Sequence, residues 1–398
     1  MSKPPQWLLF RPVNFLVSLQ FCALVVPLPV ALQATPTVML SIVLAFSDLV
    51  DKTVKKISRI VLLLYIASII SILFSGVYSS VPQKSFWLAS YFLPGIVLIL
   101  VAILTSKESR IRETCEVSIL TAAGILCAQI LWAGFEIRGD PQKLINGLGI
   151  LGISVPNDIL IAVMALPFCV GGLLEPGVSR QFKFGHAVLS VMILAASAIV
   201  QSRMAIGAAL VIALAYLIQQ RLRIRLVVIV ATGIGLFLTL LNLVDADFLG
   251  KVKSFSINNE RLYVWYVSLV SADFSPFIGV GHGTFDTFFE KARLAVEVPD
   301  FLHEDPRRMG WAHNLFVEAL VERGILGLLL TAALMGSIGT AIWRLRSIRY
   351  SWCISFLVFF LASIVELTLV RPWVCFLLSA YCVIAIASIS ADKAKAVP

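Results

Sequence analysis

Apolar residues run along this chain in long unbroken stretches rather than in alternation or in narrow amphipathic stripes. A helix needs about 20 mostly apolar residues to cross the hydrocarbon core of a bilayer. The chain offers twelve such runs, at roughly 13–32, 35–50, 57–76, 86–105, 117–135, 157–174, 187–201, 204–219, 226–244, 315–343, 351–370 and 373–390, of which the second, seventh and eighth are short or share tight turns. Ile60–Leu73 and Leu226–Leu241 are continuous, whereas strands of a transmembrane barrel alternate over about ten residues. The pattern predicts an all-α polytopic membrane protein of about 12 transmembrane helices. The first run is longer than the roughly 7–15-residue core of a signal peptide and lacks a good small-x-small cleavage site, so it too is read as a span.

Composition agrees with this reading. Of 398 residues 59% are hydrophobic and 14% charged, with a mean hydropathy of +0.93, against about 25% charged in soluble domains. A soluble enzyme, a disordered chain and a small disulfide scaffold are excluded. The net charge of +9 then serves as a topology signal rather than a sign of nucleic acid, because cytoplasmic loops of membrane proteins are enriched in Lys and Arg. With the N-terminus inside, the inner segments hold Lys3 and Arg11; Lys52, Lys55, Lys56 and Arg59; Lys107, Arg110 and Arg112; Arg180 and Lys183; Arg221, Arg223 and Arg225; Arg344, Arg346 and Arg349; and Lys393 and Lys395. The short outer loops hold Lys84, Arg138, Lys143, Arg203 and Arg371. Both termini are expected in the cytoplasm. Trp7, Trp87, Trp132, Trp343, Trp352 and Trp373 fall near predicted helix ends, where an aromatic belt would put them. Seven scattered cysteines without a C-x-x-C spacing read as small apolar packing residues rather than a disulfide or zinc framework.

One connection departs from the rest. Between the ninth and tenth predicted spans lie the 68 residues Asp245–Ala312, with 10 acidic and 7 basic side chains, and by the derived topology they face outward. Loops longer than about 15 residues are functional or disordered; aromatic residues throughout this one point to a folded, site-bearing segment. The chain thus divides into 1–244 with helices one to nine, the loop 245–312, and 313–398 with the last three helices and a tail. Within the loop, Asn258–Ser271 reads as a helix with Asn258 or Asn259 as N-cap, on which Arg261 and Trp265 share a face. Pro276–Gly283 is a glycine-rich turn, but it follows a helix rather than a strand and lies outside, so it lacks the context of a nucleotide fingerprint. Phe285–Leu294 reads as a second short amphipathic helix.

The tenth span begins with His313-Asn314 and places Glu318, Glu322 and Arg323 within its first turns. Glu318 and Glu322 lie on one helix face, and ionisable groups at membrane depth mark functional cavities. The plain alternative is that this stretch projects above the hydrocarbon and is solvated. Asn314 suits the N-cap position. Arg371 stands beside Pro372 at an outer turn, five residues after Glu366, and is either a third substrate-facing cation or the partner of that carboxylate.

Taken in order, Arg261-x-x-x-Trp265, Pro276-x-x-Gly279-x-Gly281-x-Gly283-x-Phe285, His313-Asn314 and Glu322-x-Gly324-x-x-Gly327 resemble the O-antigen ligase and polymerase superfamily, as does Ser202-Arg203 before a helix of small residues and the basic run Arg221–Arg225. The resemblance covers residues 202–330. It implies a GT-C-like, metal-independent glycosyltransferase of the bacterial inner membrane, with no cofactor and with its site facing the periplasm. The implied donor is a glycan on undecaprenyl diphosphate; the acceptor is lipid A–core for a ligase and a lipid-linked glycan for a polymerase, and membrane lipids surround both. Arg203 and Arg261 match arginine positions of the family, and a diphosphate leaving group calls for fixed cations where charge develops. His313 matches the family's histidine at the loop end. It is the candidate base or orienting group, since histidine readily exchanges a proton near neutral pH. Arg371, Glu318, Glu322, Trp265 and Asn314 complete the set as candidate substrate-binding residues.

The spacing leans toward ligase over polymerase, and the lack of a long C-terminal soluble region speaks against a protein O-glycosyltransferase. A secondary transporter would also have about twelve spans and midplane charges, but it would show two related halves with helices broken at corresponding positions. No such repeat is legible.

Overall fold

A computed structural model of the chain describes residues 19, 59–104, 108–137, 158–200, 202–219, 260–274, 276–300, 302, 309–346 and 350–394. The predicted spans at 35–50 and 226–244, and all but Leu19 of 13–32, lie outside the described residues. Helix is the only regular structure among those described: α1 (Arg59–Val77), α2 (Pro82–Ala89), α3 (Leu93–Leu104), α4 (Glu108–Ile137), α5 (Ile159–Leu174), α6 (Arg180–Ile199), α7 (Arg203–Gln219), α8 (Glu260–Val270), α9 (Phe285–Ala295), α10 (Leu315–Trp343), α11 (Tyr350–Val365) and α12 (Pro372–Ala394). Five segments are long and apolar enough to cross a membrane: Ile60–Val77, Pro82–Leu100, Arg112–Gly134, Arg180–Ile199 and Leu315–Trp343. Shorter apolar helices occupy Ile159–Leu174, Met204–Gln219, Tyr350–Val365 and Pro372–Ile386. The chain is an integral membrane protein of helical type.

Its polarity is that of a lipid-embedded bundle. Leu63, Leu214, Ile218 and Leu329 stand exposed on the outside, while Ser68, Ser197, Ser355, Ser363 and Ser379 are buried. Those serines return their hydroxyls to the preceding turn, as in Ser197 Oγ–H to the Ile193 carbonyl at 2.7 Å, or meet another helix, as Tyr65 meets Ser379 at 2.6 Å. In hydrocarbon no water satisfies such groups, so they turn inward. The expected tryptophan belt holds in part. Trp87, Trp132 and Trp343 are exposed, but Trp352 is fully buried, edge-on to Phe168 at 4.7 Å, and Trp373 is buried as well. Proximity to a helix end fixes a ring's height, not the face on which it points. The six described cysteines are free and buried, the packing role expected of them.

Cross-helix contacts fix which helix ends lie together. Tyr216 in the last turn of α7 donates to the Pro167 carbonyl in the second half of α5 at 2.6 Å, and Tyr350 at the start of α11 donates to the Ala215 carbonyl at 3.2 Å. Hence α7 runs parallel to α5 and antiparallel to α11. Cys353 near the start of α11 meets the Ile342 carbonyl near the end of α10. One end of the bundle therefore gathers the beginnings of α5, α7 and α10 and the finish of α11. The opposite end gathers Arg110, Arg112, Arg180, Lys183, Arg344 and Arg346 at helix termini.

The long α10 is broken. Gly324 has φ 66 and ψ −166, so the helix consists of Leu315–Arg323 and a second segment from Ile325. The glycine-rich turn plugs the break: Val280 N–H donates to the Val321 carbonyl at 3.0 Å, Gly281 N–H to the Glu322 carbonyl at 2.9 Å, and Ile325 N–H to the Pro276 carbonyl at 2.8 Å. A break in a buried helix strands backbone groups that cost free energy unless paired, and this turn pairs them. Contact is backbone to backbone. A Cβ on Gly279 would sit 2.2 Å from the Glu322 carbonyl carbon, and one on Gly324 would sit 2.2 Å from that of Phe277.

Candidate functional site

Above this break the described residues of the loop form a small core. Tyr263, Val264 and Val267 of α8 and Phe285, Phe289 and Ala292 of α9 bury themselves together with Ala312, Val317 and Val321. The segment expected to be folded is thus a cap on the first half of α10. Its α8 covers Glu260–Val270 and α9 Phe285–Ala295, and the expected N-cap, Asn258 or Asn259, lies outside the described residues.

The cap grips the residues around His313. Trp265 Nε1–H donates to the Ala312 carbonyl at 2.9 Å, and Asn314 Oδ1 accepts from the N–H groups of Phe316 and Val317 at 2.9 and 3.1 Å. Asn314 is therefore the N-cap of α10, with its side-chain oxygen engaged by the helix rather than by a substrate. Replacing Asn314 by alanine should cost about 1 kcal/mol, measurable as a lowered thermal unfolding midpoint in detergent. Between the two anchors His313 adopts φ 52, the one non-glycine with positive φ among the described residues. Such backbone costs on the order of 1–3 kcal/mol and persists only where its surroundings hold it.

The imidazole it displays meets a carboxylate missed by sequence reasoning. His313 Nδ1 lies 3.1 Å from Glu366 Oε1 and 3.3 Å from Trp311 Nε1. One nitrogen cannot donate to a carboxylate and accept from an indole at once. The bond to the carboxylate is shorter and charge-assisted, which puts the proton on Nδ1 and the lone pair of the neutral ring on Nε2. Glu366 is buried, and its other oxygen is taken by Arg261, whose guanidinium also donates to the Val365 carbonyl. Arg261 remains 43% exposed and His313 23%, so both stay open to a ligand while the acid between them does not. Glu366 stands just past the end of α11. The predicted span 351–370 continues to residue 370, but α11 stops at Val365 and the following apolar residues pack in a non-helical turn segment.

Arg371 is held otherwise than the sequence led one to expect. It pairs with Asp158 at 2.7 Å instead of Glu366, and Trp373 Nε1–H reaches the same carboxylate at 2.8 Å. Its guanidinium lies 4.8 Å from the Trp311 ring centroid, a cation–π distance. The site is thus continuous from Asp158 through Arg371, Trp311, His313 and Glu366 to Arg261.

Glu318 and Glu322 are neither solvated nor open to a substrate. Both are buried, and the chain itself uses them. Glu318 Oε1 accepts from Thr368 Oγ1 at 2.6 Å and Leu369 N–H at 3.3 Å, fixing the segment that carries Glu366 and Arg371. Glu322 Oε2 lies 2.9 Å from His282 Nδ1, and its Oε1 accepts from Phe285 N–H at 3.4 Å, fixing the glycine-rich turn. Arg323, also buried, reaches Ser71 at 3.3 Å and Thr331 at 2.9 Å. These groups brace the site from below. Arg203 opens α7, after Ser202 Oγ accepts from Ala205 N–H at 3.3 Å. Its backbone lies at the same bundle end as His313 and Glu366, and its side chain lies outside the described ones.

Chemically, the arrangement offers a cation that can bind an anion, a histidine nitrogen that can take a proton, and a buried carboxylate linking them. No curated protein matches the chain at a significant level. Residues 187–332 match the family model described as O-antigen ligase, a segment that holds Arg203, Arg261, Trp265, His313, Asn314, Glu318 and Glu322 and stops short of Glu366 and Arg371. Over that segment, from the middle of α6 to the middle of α10, the chain is similar to the O-antigen ligase and polymerase superfamily.

Proposed function

We propose that this protein transfers a glycan from undecaprenyl diphosphate to lipid A–core at the periplasmic face of the bacterial inner membrane. The observation that carries the proposal is the meeting of Arg261 and His313 on the Glu366 carboxylate at one end of the bundle. Six basic residues at the other end support the orientation, since Lys and Arg collect on the cytoplasmic side. The acceptor hydroxyl gives its proton to His313 as its oxygen bonds to the anomeric carbon. The bond from that carbon to the phosphate oxygen breaks, and its electron pair leaves with the diphosphate. Arg261, and Arg203 at the same end, meet the charge that develops there. The cationic work falls to arginine, so transfer should proceed undiminished in the presence of a chelator.

A broken span is also a mark of secondary transporters. In this protein the groups freed at Gly324 are taken up by the glycine-rich turn rather than left to hold an ion, which favours the enzyme. Deleting the gene and analysing surface glycan separates the readings. Loss of a ligase leaves polymer on the lipid carrier and none on lipid A–core, whereas loss of a polymerase leaves single repeats on lipid A–core. Unchanged surface glycan overturns the proposal.

A further inference from the structure

Glu366 has no counterpart in the motif order that points to Arg261 and His313, and it lies beyond the segment similar to the family. It is nonetheless the residue on which both converge. Its side chain is 3% exposed, one oxygen faces His313 Nδ1 at 3.1 Å and the other faces Arg261. The segment that carries it is itself fixed, because Glu318 accepts from Thr368 and Leu369 two and three residues on. A carboxylate this buried is not placed to touch a substrate, but it is placed to decide what its two partners present to one.

We infer that Glu366 is a positioning residue for glycosyl transfer, holding the His313 ring with its proton on Nδ1 and its Nε2 turned to the acceptor hydroxyl, and fixing Arg261 at a set separation from that nitrogen. The inference rests on the glycosyl-transfer reading. Orientation by a buried carboxylate is what makes a neutral imidazole a directed base, because it selects the tautomer and stabilises the imidazolium that forms when the ring takes the proton. The Glu366 amide variant would keep the shape of the side chain and lose the charge.

The test compares the wild type with Glu366→Gln, Glu366→Asp, His313→Ala and the double variant Glu366→Gln/His313→Ala. The full chain is purified in detergent, with undecaprenyl-diphosphate-linked oligosaccharide as donor and lipid A–core as acceptor. Thermal unfolding is recorded alongside kcat and KM. Glu366→Gln should stay folded and lose at least about 10-fold in kcat, Glu366→Asp should recover part of that loss, and the double variant should lose less than the product of the two single losses, because only the part of the Glu366 effect that runs through Arg261 survives without His313. A Glu366→Gln protein with wild-type kcat, or a double variant whose losses multiply, overturns the inference. Should Glu366→Gln fail to fold, Glu366→Asp decides, since it keeps the charge on a shorter arm: a lowered kcat supports the role and a wild-type kcat removes it. If the wild type itself transfers no glycan, the glycosyl-transfer reading fails first; wild-type transfer with an unaffected Glu366→Gln variant overturns the role of Glu366 alone.

Discussion

His313→Ala and Arg261→Ala are each expected to lower the rate of glycan transfer at least about 100-fold while leaving a folded protein. General acid–base catalysis by one positioned side chain is worth roughly 10²–10⁴-fold, and a fixed group that meets charge in the transition state is worth a similar factor. The two losses differ in kind. Without His313 the acceptor proton has no receiver, so the fall should appear in kcat. Without Arg261 the donor diphosphate loses a cation, so the fall should appear in donor KM as well. Neither side chain is buried, so its removal opens no cavity in the apolar core. Because residue 313 sits at φ 52, His313→Asn is a useful companion: asparagine tolerates left-handed backbone but cannot serve as the base. Transfer rates of purified protein and the surface glycan of complemented deletion cells both read the effect. Wild-type rates in His313→Ala, Arg261→Ala and Arg203→Ala together would sink the enzyme reading.

Hydropathy made the bundle legible but not its irregularities. The predicted run 157–174 is α5 almost to the residue, and 315–343 is the full extent of α10. Apolar character is all that a span demands, so runs of apolar residues find spans. The same quantity is blind to backbone dihedrals, and so the break at Gly324 inside an apolar run went unseen, although the glycines at 279, 281, 283 and 324 were noted as a motif. Their spacing makes sense only when the turn and the break are seen to touch. Hydropathy also carried the eleventh span too far, because Leu367 and Leu369 are as buried in their turn segment as they would be in a helix. That error hid Glu366: within a span's last turn it looked like a partner for Arg371, five residues away, rather than for residues 53 and 105 positions distant. Sequence separation of that size leaves no local pattern. Arg261 and His313 were singled out for a different reason, since each falls in a short motif that resembles the family, beside Trp265 and Asn314. Glu318 and Glu322 were legible as unusual but not as buried braces, because their partners Thr368, Leu369, His282 and Phe285 come from distant segments.

Gly324→Ala is expected to prevent accumulation of the folded protein. With φ 66 and ψ −166, residue 324 occupies backbone space that is essentially glycine's alone, where another residue costs about 1–3 kcal/mol. Strain is the smaller part. The added Cβ would stand 2.2 Å from the Phe277 carbonyl carbon and 2.6 Å from the Ile278 nitrogen, and these are backbone atoms that no rotamer change can clear. The turn must lift away, which endangers the three backbone hydrogen bonds that seal the break, each worth about 1 kcal/mol when intact and more when its loss leaves a buried group unpaired. Lifting the turn also pulls His282 from Glu322 and loosens the cap that holds His313. The total is large against a typical folding stability of roughly 5–15 kcal/mol. Gly336→Ala in the same helix is the control. A Cβ there meets nothing within 4 Å, and alanine in a helix interior is favoured over glycine by about 0.5–1 kcal/mol. Membrane-fraction yield and thermal unfolding in detergent should therefore collapse for Gly324→Ala and hold or improve for Gly336→Ala. If Gly324→Ala accumulates and melts like the wild type, α10 is not broken at Gly324 in the folded protein, and the glycine-rich turn must be held by something other than the ends of that break.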